Sequence, residues 1–255
     1  MPRPRPPWAR PCWPHPDLRE ARPMPELTVV PVEGLPEVGP GDVLAELIAA
    51  RVHLSDFDVV VVTQKVVSKA EGRLVEVDPR DPLSHKATVE KEAVRVLRRR
   101  GDLLVTETRH GFVCANAGVD LSNVPQGQAT LLPVDPDRSA RRIRDGLRAR
   151  AGARVGVIVS DTFGRPWRRG LTDVAIGVAG IAAVVDLRGT SDSLGRPLQV
   201  TEVCVADELA AAAELVRGKS SGVPVTVIRG VERSWFREAS VREEVVRPYE
   251  EDLFR

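Results

Sequence analysis

The sequence predicts an α+β protein built on mixed sheets, and three observations lead there. Four runs, "LTVVPV" (27–32), "DVVVVT" (58–63), "VGVIVSD" (155–161) and "VPVTVIRG" (223–230), are valine-rich and of strand length. Segments at 41–52, 84–100, 136–152 and 205–218 instead carry apolar residues at helical spacing. The two kinds do not alternate strictly, and several strand-like runs follow one another, which disfavours a singly wound parallel sheet.

Taken in order, the first 25 residues stand apart, with nine prolines and five arginines and no apolar stretch of a signal peptide. Such a segment cannot form a helix or bury much surface, so it reads as a disordered tail. Trp8 and Trp13 give it a partner-binding reading as well, and Met24 directly precedes the first strand-like run. The folded domain is 26–255, with room for two subdomains. After the strand at 27–32, "GDVLAELIAARV" (41–52) places Leu44, Leu47, Ile48 and Arg51 on one helical face, with Asp42 near its start. The strand at 58–63 leads into "TQKVVSKAEGR" (63–73), where Lys65 and Lys69 share a face if the segment is helical. "SHKATVEKEAVRVLRRR" (84–100) reads as one amphipathic helix ended by Gly101. Strands are expected at 102–107, 112–115 and 129–134, and a charged helix at 136–152 with Ile143 and Leu147 inward. Strands at 155–161, 175–180 and 182–189, an Ala-rich helix at 205–218 and a strand at 223–230 complete the reading.

Composition excludes several classes. Lys plus Arg is 37 and Asp plus Glu 36, so the net charge of +1 makes no case for nucleic-acid binding. Aromatics at 4% are too few for base-stacking platforms. Cys12, Cys114 and Cys204 form neither a CxxC pair nor a disulfide framework, which fits a reducing, cytoplasmic setting. The longest apolar run, from Val174 to Val185, is twelve residues, short of the roughly 20 that span a bilayer.

Several stretches can carry chemistry. In "VSDTFGRPWRRGLTD" (159–173) an apolar strand ends on Ser160, Asp161 and Thr162, and Asp173 follows eleven residues past Thr162. Carboxylate plus hydroxyl at a strand end suits a hard cation such as Mg2+ or Mn2+ beside phosphate, and Arg165, Arg168 and Arg169 can meet phosphate oxygens. The plain alternative is a capped turn whose arginines face water. "HGFVCANAGVDLSNVP" (110–125) places Asp120, Ser122 and Asn123 in a loop, either a second oxygen-donor set or a simple Asx turn. Lys65 and Lys69 are a phosphate clamp or a solvated face. "LVRGKSSGVP" (215–224) lacks the P-loop spacing and follows a helix, so Gly218 reads as a helix cap. The Lys219–Ser220–Ser221–Gly222 loop can still reach phosphate through backbone N–H groups. "VEGLPEV" (32–38) is a strand followed by a tight turn.

In this order, "GLPEV", "VVVVTQKVVSKAEGR", "TRHGFVCANAGVDLSNVP", "SDTFGRPWRRGLTDVAIGVAG" and "ADELAAAAELVRGK" resemble the coenzyme F-420:L-glutamate ligase family, also called coenzyme F-420-0:gamma-glutamyl ligase. The resemblance covers about residues 26–235. It implies a two-part α+β ligase fold, an intertwined homodimer, and small-molecule substrates F-420-0 and L-glutamate. It implies that L-glutamate is joined to the carboxyl group of F-420-0 with GTP as co-substrate, followed by a gamma-glutamyl addition. Two divalent cations (Mn2+ or Mg2+) and a monovalent cation such as K+ are implied too. Carried over motif by motif, Asp120 and Asp161 share a cation and Thr162 helps to hold a second. Asn123, the Gly34, Leu35, Pro36, Glu37 turn, Gln64 and Lys69 line the nucleotide site, and the loop with Gly218, Lys219 and Ser220 closes over it.

Many archaeal members have an acidic or amide residue where this chain has Lys219, which alters the second-metal site or puts a phosphate contact there. Activation of the carboxyl group as an acyl phosphate, with Lys69, Arg165 and Arg168 taking up developing charge, is the expected chemistry. A metal-dependent phosphotransferase or phosphohydrolase, and a non-catalytic GTP-binding module, are the rival readings of the same residues.

Overall fold

The computed structural model describes residues 26–218 and 221–252. The readings placed on the 1–25 tail, on Lys219 and on Ser220 lie outside them. The elements are β1 (Thr28–Pro31), α1 (Leu44–Ala49), β2 (Val59–Thr63), α2 (Gln64–Ala70), β3 (Leu74–Glu76), α3 (Lys86–Glu92), β4 (Ala93–Arg100), β5 (Leu103–Thr108), β6 (Val113–Ala115) and β7 (Gln128–Thr130). They continue with α4 (Pro136–Ala151), β8 (Gly156–Arg165), β9 (Arg168–Ala179), β10 (Val185–Asp186), β11 (Glu202–Val203), α5 (Val205–Arg217), β12 (Val225–Arg229) and α6 (Val241–Glu244).

The valine runs form four neighbouring strands of a five-stranded sheet in the order β1-β12-β2-β8-β9, with β1 at its edge. Only β2 and β8 run parallel; the other neighbours are antiparallel. Both faces are covered. Val60, Val62, Val157 and Val159 face a core shared with Leu44 and Ile48 of α1 and Ile143 and Leu147 of α4. Val59, Val61 and Ile158 face Leu209, Ala210 and Ala213 of α5, with Phe236 and Val241 behind. A strand buried on both faces has no polar side to show, hence the unbroken valines. Each such side chain contributes about 1.5 kcal/mol or more to stability.

Three smaller sheet pieces surround this core: β3-β7, β4-β5-β6 and β10-β11. The first two enclose a separate apolar cluster around Val89, Leu104, Val119, Ala129 and Leu131. The α+β reading with mixed sheets therefore describes the fold. Among the described residues no helix is long and apolar enough to cross a membrane.

The charged helix expected at 136–152 is set by its ends. Asp135 caps it by accepting from the Arg138 N–H, Pro136 occupies the first turn, and Gly152 ends it at φ 68°. Buried Asp137 ties its start to the sheet, accepting from the N–H of Val178 at 2.8 Å and of Val241 at 3.0 Å. Helix and sheet approach so closely that a Cβ on Gly177 would fall 2.4 Å from the Pro136 backbone.

Several expected elements differ. The helix expected at 84–100 ends at Glu92, and 93–100 is β4, paired with β5. Its alternation of long arginines with Val94, Val96 and Leu97 fits an exposed edge strand as well as a helix, and the ladder to β5, with Arg95 2.8 Å from Glu107, decides. The helix at 41–52 shortens to α1, because the Asp42 carboxylate caps the Gly39 N–H of the preceding turn instead of the helix. The strand at 129–134 stops at Thr130, and that at 182–189 shrinks to β10. The strand at 155–161 runs on to Arg165 and turns through Pro166 and Trp167 into β9, so the expected capped turn is a long hairpin.

Candidate active site

The one parallel pair fixes the site. Thr63 is in register with Ser160, so β2 and β8 end side by side. Past Thr63 the chain enters α2 with Gln64, Lys65 and Lys69; past Ser160 come Asp161 and Thr162. β12 begins at the same end, where the Pro224 carbonyl accepts from the Thr63 N–H. The turn after β1 and the 120–123 loop close the rim. Together these segments enclose a cavity of about 720 Å³.

The structure brings Leu35, Pro36, Glu37, Gln64, Lys69, Asn123, Gly218, Asp120, Asp161 and Thr162 to the lining of this cavity. Gly34 precedes that turn, its φ of 73° supplying the bend and its carbonyl accepting from Arg51. Arg165 and Arg168 are not brought there. They sit exposed at the hairpin tip with Arg169, because β8 continues instead of turning at Gly164. Gly218, at φ 64°, caps α5 as expected.

Each charged group has a defined partner. Lys69, 7% exposed, reaches Glu37 at 2.5 Å. Lys65 contacts Asp120 at 2.8 Å and donates to the carbonyl and hydroxyl of Ser122. The other Asp120 oxygen accepts from the Ser122 N–H at 2.7 Å, the Asx turn read from the sequence. Burial alone would raise the Asp120 carboxyl, but Lys65 and the Ser122 N–H hold it below its ordinary value. Asp161 goes the other way. Burial first, then the nearby carboxylates of Asp120 and Asp173, push it up to about 7 against the Thr162 N–H, which donates to it at 2.8 Å. The Gln64 amide is turned inward to Ser68 and the Leu131 carbonyl, so it braces α2 against the neighbouring segment.

Asp120 and Asp161 thus lie within electrostatic reach of each other on one cavity wall. Among the described residues no three His, Cys, Asp or Glu side chains converge as a ready-made metal cluster. Two carboxylates with a hydroxyl beside them are a partial oxygen set of the kind Mg2+ or Mn2+ takes, the remaining positions going to water and phosphate oxygens. Asp161, buried beside the carboxylates of Asp120 and Asp173, sits where a cation would offset crowded negative charge, so these residues fit such an ion. The Cys114 thiol beside Asp161 and the Cys204 thiol are both pushed up to about 12, chiefly by burial, which removes them as nucleophiles near neutral pH.

Three charged lining residues had no site role in the sequence reading: Asp173, Glu214 and Arg217. Asp173 is opposite Thr162 in the hairpin ladder. That partnership is visible in the sequence only to a reader who continues β8 through Gly164. Arg217 ends an Ala-rich helix, where a cation ordinarily faces water and the helix dipole; nothing local signals its burial.

Residues 34–230 match the family described as F420-0:Gamma-glutamyl ligase. The chain is 42% identical over 249 residues to coenzyme F420:L-glutamate ligase of Methanothermobacter thermautotrophicus, covering 90% of this chain and 99% of that one. It is 45% identical over 242 residues to the protein of the same name from Archaeoglobus fulgidus, covering 89% and 96%. With that of Methanocaldococcus jannaschii it shares 41% over 227 residues, covering 83% and 90%.

Proposed function

The chain belongs to the F420-0:gamma-glutamyl ligase family, and from that premise we propose that it joins L-glutamate to coenzyme F-420-0 with GTP as co-substrate. A further gamma-glutamyl addition follows, and the homodimer and K+ requirement implied by the resemblance belong to the same proposal. The observation that carries it is the placing of Asp120, Asp161, Lys65 and Lys69 on one cavity at the end of the parallel strand pair.

A free carboxylate does not acylate an amine at neutral pH, because its oxygen is a poor leaving group. The F-420-0 carboxylate therefore attacks the γ-phosphorus of GTP; a carboxyl-oxygen–phosphorus bond forms, the bond to the β-phosphate oxygen breaks, and GDP leaves with that electron pair. The glutamate amine, having lost a proton to solvent, then attacks the acyl carbon; the carbon–oxygen bond to the phosphoryl group breaks, phosphate leaves with that electron pair, and the nitrogen gives up its second proton to solvent as the amide forms. The obstacle in the first step is repulsion between two anions. Asp120 and Asp161, with the Thr162 hydroxyl, are the residues that would hold Mn2+ or Mg2+, which when bound screens that repulsion. Lys69 is buried against Glu37 and faces the phosphates as a fixed positive charge. Lys65 keeps the 120–123 loop docked on α2, holding Asp120 and Asn123 at the rim. The Pro36–Val38 turn and the backbone around Gly218 and Gly222 offer shape for the nucleotide.

Incubation with F-420-0, glutamate, GTP and Mn2+, followed by mass analysis, tests this. The expected product is heavier by one glutamate residue. Phosphate release without that gain would identify a phosphohydrolase, and nucleotide binding without turnover a binding module.

A further inference from the structure

Asp173 is 3% exposed at the cavity floor, and its two oxygens do different things. Oδ1 accepts from the Thr162 hydroxyl at 2.6 Å. Oδ2 accepts from Arg217 Nη2 at 2.7 Å and from the Ser160 hydroxyl at 3.1 Å. Arg217 is 1% exposed and closes the group by also donating from Nη2 to Ser160 at 3.2 Å. Among the described residues its Nε and Nη1 are buried without a hydrogen-bond partner. An ion pair that leaves two guanidinium nitrogens unsatisfied is a poor way to stabilise a fold. Its effect lies in what it fixes.

A hydroxyl has one hydrogen and two acceptor lone pairs. Once Thr162 gives its hydrogen to Asp173, its oxygen can present only lone pairs to the cavity. Resting on the metal reading above, we propose that Asp173, anchored by Arg217, is a positioning residue that locks the Thr162 oxygen as an acceptor aimed at the cation. Ser160, hydrogen-bonded to both partners, braces the pair from the strand. Asp173 then acts through Thr162, its Oδ1 held by the Thr162 hydroxyl and its Oδ2 by Arg217 and Ser160. Outer partners of this kind typically change metal affinity about 10- to 100-fold.

The test replaces both members of the ion pair at once. Asp173→Asn with Arg217→Met removes one negative and one positive charge, so the local net charge is kept; Glu214, which Arg217 also meets at 3.5 Å, loses that one contact. Mn2+ alone is titrated and the free ion followed by its EPR signal, with thermal unfolding as the check of folding. The expected result is a loss of Mn2+ affinity of about tenfold or more in a folded protein. In a Thr162→Val background the same double replacement is expected to change affinity by less than about threefold, because the oxygen it positions is gone.

Unchanged Mn2+ affinity in the double variant would overturn the proposal. So would a tenfold loss that persists undiminished in the Thr162→Val background, since Asp173 would then act by some other route. Should the double variant not fold, Asp173→Glu, which keeps the charge but displaces the carboxylate, is read the same way. Failure of the unaltered chain to bind Mn2+ would overturn the metal reading itself, and this inference with it.

Discussion

At the base of the β8–β9 hairpin, Asp161 and Asp173 sit at a cavity among Thr162, Ser160 and Arg217, while at its tip Arg165, Arg168 and Arg169 stand exposed. The two regions are a few residues apart on the same two strands. The base belongs to the central sheet, and its Phe163 ring meets Phe112 edge-on at 6.2 Å. Its charges are confined, and Asp161 shows the effect: burial first, then the carboxylates of Asp120 and Asp173, raise its carboxyl. At the tip, water screens each guanidinium and no packing fixes its direction. Charge becomes chemistry where the fold restricts it, and the number of arginines in a stretch is a poor guide to where that is.

Four experiments strain this contrast. The largest effect is expected at the base: Asp161→Asn should lower glutamate-dependent GTP hydrolysis by about 100-fold or more, followed as phosphate release. Activity near that of the unaltered chain would remove the base from the chemistry. Next, Lys69→Met deletes a confined cation in the same cavity lining. A hydrogen bond to a charged group is worth about 1.5–3 kcal/mol, so kcat/KM for GTP should fall about ten- to a hundredfold. At the tip, Arg165→Ala together with Arg168→Ala should change the same rate by less than about threefold; a tenfold loss would bring the tip into the site and erase the contrast.

The smallest effect concerns what supports the base from behind. His110 stacks on Phe112 at 5.5 Å, and its Nε2 meets the Pro133 carbonyl at 2.9 Å. Burial holds its pKa below the ordinary value of 6.5, outweighing the Pro133 carbonyl, and Arg109 acts in the same direction. With a folded pKa below the unfolded one, the stability it contributes is present above about 6.5 and is lost as pH falls through that value. His110→Gln should flatten the decline in melting temperature between about pH 7 and pH 5. His85, lowered chiefly by its own burial, should leave part of the slope in place.

Much of this was legible in the sequence, for identifiable reasons. The four valine runs declare a central sheet because strands covered on both faces have no polar positions to confuse the pattern. Asp120, Asp161, Thr162 and Lys69 could be nominated because each follows an apolar strand, and strand ends are where sheets open. The hairpin was hidden by Gly164 and Pro166, which read locally as a stop, and with it went the pairing of Thr162 with Asp173. The 93–100 strand was hidden because an arginine-rich edge satisfies helical and extended periodicity alike. Arg217 was hidden because burial of a helix-terminal cation is decided by residues 44 and 57 positions earlier, Asp173 and Ser160, and no window along the chain spans them.

The two-residue connection at Pro166 and Trp167 has a practical meaning for anyone who wishes to label this molecule. Arg165 faces Arg168 across it, and below a shift at Gly164 the ladder runs in register from Gly164–Leu171 to Ser160–Ala175. Material spliced between Pro166 and Trp167 in even numbers would lengthen the stalk by whole rungs and leave the lower register alone, whereas an odd insertion invites a slip that turns inward-facing side chains outward. That apex is therefore a natural mount for a fluorophore or an affinity handle.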